Sequence, residues 1–422
     1  MTDCTSIVAA LSVVRPHTLT DTTQDQRRIA SQHLHVDEDD FAALDSLAAS
    51  CLHGTSDSYA VTVISRPLTL VIAGKDCSDA NGLEEHIRVI WQFLCAAASD
   101  KNLYGATVLN LEAEIWKYSW TAIYTCWTTN SELLEQAIEK VFSEEEIPGV
   151  VFNDADLAFA NDVTGRLAII RARLQSTEYN DTNVSPFKTA LAELWSLVNP
   201  GFRDRQQEKV LAAYVPKRVE WRSAIPVRAI LRKLLFPIEA MEGLRDFLTS
   251  ATFAAWRQRT LNIRVLSRGA TTVTMDFDNS PVRQTVLGFQ YPETGIDLDK
   301  EWSVIVQRVT QNSQKDVSTG NLVIETNAHA ECILLAYLRN NDLDKRSGTY
   351  IGTSEQPCFA CWTLFAAYNE GRLPSARAYL RGLHAHVPRE WTILDGLEDT
   401  NHRVLRWFEA ALKLRILCSR RA

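Results

Sequence analysis

No apolar run in the chain approaches the roughly 18 residues that a membrane-spanning helix needs, so no membrane partner is expected. The opening stretch MTDCTSIVAALSVVRPHTLTD has no basic leader ahead of its short apolar segment, which argues against secretion. A disulfide framework is missing as well: the nine cysteines are odd in number and scattered at 4, 51, 77, 95, 126, 332, 358, 361 and 418. That usage fits a reducing compartment, so the expected location is intracellular, cytoplasmic or nuclear, with thiolates free for metal. Excess positive charge is also absent. A net charge of −8 argues against a protein that coats nucleic acid by bulk electrostatics. With no Gly-rich phosphate loop and no repeat of fixed period, a nucleotide-hydrolysing motor is not supported.

What is present is an ordinary globular mixture, 46% hydrophobic and 23% charged, in 422 residues that suffice for two or three domains. From residue 260 onward 19 Lys and Arg face 18 Asp and Glu, so the acidity lies ahead of that point. Two parts are expected: a mainly α-helical domain over 1–259 and an α/β domain over 260–422. Residues 1 to about 35, polar around TLTDTTQDQ, show no sustained period and predict a loose or partly helical lead-in. Acidic residues followed by apolar ones at helical spacing predict a helix over Asp37–His53. YAVTVIS and LTLVIAG flank Arg66-Pro67 and predict a β-hairpin near 59–73. From Asn81 to Arg259 apolar residues recur at three and four, as in LEEHIRVIWQFLCAAA, which predicts an irregular helical domain. Trp91, Trp116, Trp120, Trp127 and Trp195 fall on or near these helices, either as core or as stacking surfaces for bases.

Near residue 260 the hydrophobic period changes to two. TLNIRVLSR and TTVTMDF alternate around Gly269-Ala270 and predict a second hairpin, the first two strands of the C-terminal sheet. Residues 280–320 read as an insertion with a helix around Trp302–Val309 that could shape a pocket rim. TYIGT (349–353) and ARAYLR (376–381) read as strands, and Asp399–Cys418 as a closing helix.

Between these elements lies the sharpest feature of the chain, Asn327 to Tyr368, which holds His329-Ala330-Glu331 and then Pro357-Cys358-Phe359-Ala360-Cys361. Two cysteines at i and i+3 opening a helix put both sulfurs on one face, where unpaired N–H groups and the positive dipole end favour thiolate. Pro357 suits the helix entry, since its missing N–H has no helical partner there. One imidazole completes three ligands and leaves a fourth tetrahedral position for water. A single zinc ion held by His329, Cys358 and Cys361 is therefore the expected cofactor. Glu331 is the expected proton shuttle, because it can face that water without binding the metal. The rival is a closed structural zinc site, which needs a fourth donor; Cys332 is the only cysteine close in sequence, and is otherwise a small core residue. His384 and His386 with Thr392 and Asp395 faintly resemble a JAMM-type zinc protease arrangement, but the spacing is short and the usual small residues are absent.

The HAE and PCFAC elements follow the H-x-E then P-C-x-x-C pattern of zinc-dependent base deaminases and resemble the cytidine deaminase-like superfamily. The later stretch Arg381 to Trp391 resembles the histidine-then-tryptophan tail of its OTT-type branch, numerous in fungi. The resemblance implies a three-layer α/β/α fold with a central mixed sheet, zinc at the N-terminal ends of two helices, and a nucleobase as substrate. Within it three more residues are candidates for substrate contact. Asn327 offers an amide to base or sugar, or else caps a helix. His384 touches a substrate phosphate or the pocket wall, or else is a structural histidine at a strand end. Trp391 stacks on a base, or else packs in the core. The expected function is hydrolytic deamination of a cytosine-type or adenine-type base, free as nucleoside or nucleotide or within nucleic acid. The alternative is a catalytically inactive deaminase-fold interaction or effector protein with a structural zinc, whose helical part, 1–259, binds a protein partner.

Overall fold

The computed structural model describes residues 2–14, 26–53, 58–75, 79–100, 102–143, 153–174, 177–203, 227–277, 280–289, 296–311, 314–315, 321–343, 349–382, 387–388, 390–394 and 397–419. The chain runs through α1 (Thr2–Val13), α2 (Gln26–Leu34), α3 (Glu38–Ser50), β1 (Tyr59–Ser65) and β2 (Leu68–Gly74). A helical series follows: α4 (Ala80–Ser99), α5 (Tyr104–Ser143), α6 (Asp154–Arg173), α7 (Asp181–Arg203), α8 (Val227–Leu248) and α9 (Ala251–Trp256). Then come β3 (Asn262–Ser267), β4 (Thr271–Met275), α10 (Pro281–Leu287), α11 (Leu298–Gln311), β5 (Gln314–Lys315) and β6 (Leu322–Thr326). The last elements are α12 (Ala330–Asn340), β7 (Thr349–Thr353), α13 (Phe359–Asn369), β8 (Ala378–Leu380) and α14 (Glu398–Ser419). Among the described residues no helix is long and apolar enough to cross a membrane.

Contacts divide the chain into two units, one of Met1–Ala48, Ser58–Arg88 and Thr249–Ala422, the other of Ala49–Asp57 and Val89–Leu248. The division differs from the boundary expected at 259/260, because the hairpin near 59–73 belongs with the C-terminal sheet. That sheet has five strands in the order β3-β2-β1-β7-β8. β1 and β2 are antiparallel from Tyr59 opposite Gly74 to Ser65 opposite Leu68. β3 runs parallel beside β2, Leu70 opposite Ile263, and β7 antiparallel beside β1, Val61 opposite Gly352. β8 closes the other edge in parallel, Tyr350 opposite Tyr379. β1 and β2 are buried along most of their length, and strands buried on both faces read as continuous apolar runs. Such strands need a layer on each side, which a local hairpin in a helical domain would lack.

Helix α12 supplies one layer, packing on β1, β2, β3 and β7. Ile351 joins Ala60, Val71, Ala73 and the α12 residues Cys332, Leu334 and Leu335 in one apolar core. Its neighbours Tyr350 and Gly352 point the other way, as alternate strand residues must, and meet α3. A Cβ on Gly352 would stand 2.3 Å from the Leu44 carbonyl carbon, so only glycine lets the α3 backbone come this close. Phe41 stacks on Tyr350 with ring centroids 4.5 Å apart. Between them lies Asp45, whose buried carboxylate is met by Arg27 of α2 at 2.7 Å, by the Tyr350 hydroxyl at 2.9 Å and by the Thr353 N–H at 2.8 Å. A buried carboxylate is tolerable with that many donors. Burial, with the Asp45 charge beside it, holds the Tyr350 hydroxyl well above its usual pKa. The result is the three-layer α/β/α arrangement, with the end of β7 fastened just ahead of Cys358.

One further expectation is corrected, and two are filled in. The N-terminal lead-in contains α1, with Ile7, Val8, Ala9, Ala10 and Leu11 all at most 1% exposed. A helix buried all round has no polar face and therefore no amphipathic period to find. Arg415 of α14 donates to the Leu11 carbonyl at 2.8 Å, placing a cation at the helix C-terminus; burial lowers that guanidinium to about 10, so it stays charged at neutral pH. β3 and β4 do not form a hairpin. β3 is the edge of the large sheet, while β4 pairs with β6 in a separate antiparallel sheet ordered β4-β6-β5. The sheet already has its first two strands from 59–74, so the alternation in 261–277 is shared between two sheets. The helix expected around Trp302–Val309 lies within α11, which with α10 packs on α1, and Phe277 and Trp302 stack at 5.1 Å.

In the second unit α5 packs on α6 and α8, and α7 on α6 and α8. Trp116, Trp120 and Trp127 set their rings edge-on to Phe187 at 6.0, 5.6 and 5.7 Å. Trp195 is buried too, its indole N–H donating to Glu242 at 2.7 Å. These four rings are core; Trp91 is half-buried.

Candidate metal centre

The two motifs meet because each opens a helix that leans on the same sheet. His329 is the N-cap residue of α12 and makes no side-chain capping bond, which leaves its ring available. Cys358 is the N-cap of α13, and its sulfur accepts the Cys361 N–H at 3.5 Å. Nδ1 of His329 lies 3.6 Å from Cys358 Sγ and 3.4 Å from Cys361 Sγ, and the two sulfurs are 3.5 Å apart. Zinc bonds of about 2.3 Å to sulfur and about 2.0–2.1 Å to nitrogen, at tetrahedral angles, require ligand edges of about 3.5–3.8 Å. One imidazole and two thiols in a triangle of that size therefore fit zinc. Among the described residues this trio is the one cluster of His, Cys, Asp or Glu able to hold a metal.

Burial separates the donors. Cys358 and Cys361 are enclosed, while the His329 side chain keeps 20% of its surface exposed. Burial pushes the Cys358 thiol up, but a hydrogen bond from the Cys361 thiol and the neighbouring His329 cation outweigh it, so the pKa falls well below the usual thiol value. Burial, together with the bonds to Cys332 and Cys358, holds Cys361 well above that value. Burial works against protonated His329, yet the Cys358 thiolate and the Glu331 carboxylate raise it to about 10. Metal-free, the site is thus an imidazolium–thiolate pair beside a thiol.

Glu331, in the first turn of α12, has only 7% of its side chain exposed and brings Oε1 to 4.0 Å from His329 Nδ1. Burial raises its pKa, partly offset by the His329 charge. A carboxyl whose pKa is raised in this way is suited to taking up and releasing protons, as an acid–base group must. Cys332 sits 3.5 Å from Cys361 Sγ but does not join the ligating trio. Asn327 is buried, and its Oδ1 has no hydrogen-bond partner among the described residues. Its backbone is fixed on both sides, the N–H donating to the Glu390 carbonyl at 2.6 Å and the carbonyl accepting from the Thr392 N–H at 3.3 Å.

Trp391 is not a stacking surface. It is fully enclosed, edge-on to Phe408 at 5.6 Å, so no face is open to a base. Its indole N–H points at Cys361 Sγ, 3.1 Å away, a contact that reading it as a base platform missed. The usable signal was chemical: a buried indole must place its N–H somewhere. Asp45 was missed as well, although a lone carboxylate at helical spacing from Phe41 on an apolar helix face is a signal of its own. His384, His386 and Asp395 lie outside the described residues.

Comparison with known proteins adds a resemblance. Curated proteins and solved structures return no significant match. Residues 328–395, which carry the His329, Glu331, Cys358 and Cys361 positions, match the family model of the OTT_1508-like deaminases. That segment is similar to deaminase domains of the cytidine deaminase-like kind, and it carries a His/Cys/Cys cluster compatible with zinc.

Proposed function

We propose that the protein is a zinc-dependent hydrolytic deaminase that converts an amino-bearing ring carbon of a nucleobase to a carbonyl, cytosine to uracil or adenine to hypoxanthine in type. The observation that carries this is the triangle of His329, Cys358 and Cys361, 3.4–3.6 Å on each side, with the buried Glu331 carboxyl next to it. Bound there, zinc supplies a Lewis acid that brings the pKa of a water towards about 7. Glu331 does the proton work. It takes one proton from the attacking water, delivers it to the ring nitrogen, and passes the second to the amino group, which leaves as ammonia while the carbon keeps the oxygen. Burial suits Glu331 to both halves of that exchange, because a carboxyl with a raised pKa releases and recovers a proton at little cost.

Asn327 is the proposed contact to the substrate. Its unpartnered Oδ1 is an acceptor for a base or sugar donor, and its backbone is tied down so that the amide cannot drift. The substrate is a nucleobase-containing molecule, free or in nucleic acid. A structural zinc would need a fourth donor, and among the described residues Cys332, although near Cys361, does not come within ligand distance of all three trio atoms, which favours the enzyme over the inactive alternative. The test is ammonia release from nucleosides, nucleotides and single- and double-stranded nucleic acids. Glu331→Gln is expected to keep stoichiometric zinc and lose about 10²–10⁴ in rate. Zinc-loaded protein that releases no ammonia from any of these would refute the proposal.

A further inference from the structure

The two sulfur ligands stand in different surroundings. Among the described residues Cys358 Sγ accepts only a backbone N–H from its own helix turn, besides its neighbours in the trio. Cys361 Sγ receives two side-chain donors from outside the trio, the Trp391 indole N–H at 3.1 Å and the Cys332 thiol at 3.5 Å. This pairing is not a default of burial. Trp116 and Trp120 are equally enclosed, and among the described residues their indole N–H groups have no partner.

The segment around Trp391 is also anchored from its other side. The Glu390 carbonyl and the Thr392 N–H grip the backbone of Asn327, two residues ahead of His329, in an isolated parallel bridge. Phe408 of α14 packs edge-on against the ring, meeting it at 90°. One short segment therefore holds the loop of the imidazole donor through its backbone and a sulfur donor through its side chain.

We infer that Trp391 is a positioning residue of the metal centre: its indole N–H hydrogen-bonds the ligating sulfur of Cys361, fixing that ligand and drawing charge from it. Outer hydrogen bonds of this kind orient ligands and tune the metal. A thiolate that shares its lone pair with an N–H donates less to the metal, which raises the Lewis acidity available for the proposed reaction. The inference rests on the zinc reading above, and Cys332 contributes the second, weaker donor to the same sulfur.

The first measurement needs no substitution. In protein labelled with ¹⁵N-tryptophan and loaded with ¹¹³Cd, one indole proton should show scalar coupling to the metal through the N–H···S bond. Trp391→Phe keeps an aromatic ring against Phe408 and removes the donor together with part of the ring volume. It should weaken zinc binding about 10- to 100-fold and move the sulfur-to-cobalt charge-transfer band of the Co(II) form to lower energy. Phe408→Leu, which removes the ring contact and keeps the N–H, should lower stability and leave that band where it was. Unaltered protein that binds neither zinc nor cadmium would overturn both this inference and the deaminase reading. Metal bound at full stoichiometry with no coupled indole proton, or a Trp391→Phe protein with unchanged affinity and cobalt band, would overturn this inference alone. Should Trp391→Phe fail to fold, the cadmium coupling in the unaltered protein decides.

Discussion

The helical unit and the unit that carries the metal centre both bury tryptophan, and they use it differently. Around Phe187 three indoles meet one ring edge-on, and what they contribute is apolar area and ring geometry. Among the described residues two of the three have no partner for their N–H, and the third, Trp127, gives it to the Leu234 carbonyl at 3.3 Å. At the metal centre one indole of the same burial spends its N–H on a ligand sulfur. Burial by itself therefore does not tell a packing ring from a tuning one; the partner of the one polar atom does.

That contrast can be broken at several points. The largest effect is expected from Cys358→Ala, which should abolish stoichiometric zinc and turnover together, read by metal analysis and ammonia release. Trp116→Ala in the helical unit should cost about 3–5 kcal/mol of stability in denaturant unfolding and leave zinc stoichiometry in the folded protein unchanged; a loss of zinc there would erase the distinction between the two regions. Asp45→Ala strands the Tyr350 hydroxyl and the Thr353 N–H and takes one carboxylate partner from a mostly buried Arg27. Because Arg27 retains some solvent contact, about 2–3 kcal/mol is expected rather than the full cost of a broken buried pair. The smallest effect concerns pH. His329 is raised to about 10 in the metal-free protein, so zinc must displace a proton from it at neutral pH. Zinc affinity should then rise by about tenfold per pH unit for each proton released, between pH 6 and 8. The sign reverses for the metal-free fold: a pKa raised above its unfolded value adds stability that is complete below about 6.5 and fades as pH climbs through about 10. Affinity independent of pH would count against the imidazolium–thiolate pair.

The chemistry was legible in the sequence because it is local. His329, Glu331, Cys358 and Cys361 sit at fixed short spacings on two helix starts, and TYIGT, ARAYLR and the closing helix each carry their own period. What was not legible depends on partners far along the chain. The 59–74 hairpin has no local mark showing that β7 will lie beside it, and β3 and β4 alternate alike although they enter different sheets. α1 is obscured for the opposite reason, since complete burial removes the periodicity that usually exposes a helix. Trp391 was visible as a residue of interest, but its role turns on a sulfur that spacing does not connect to it.

The parallel pairing of β2 with β3 has a consequence for the order in which the molecule is made. Parallel neighbours demand a return trip of a dozen or more residues, and here the return carries the whole of Val89–Leu248. Leu70 must therefore wait for Ile263 to leave the ribosome before that edge of the sheet can close. Val61 waits longer still, for Gly352. Such distant closures are slow to form, so the stretch that finishes the metal site is also the stretch that first gives the early hairpin its lasting cover.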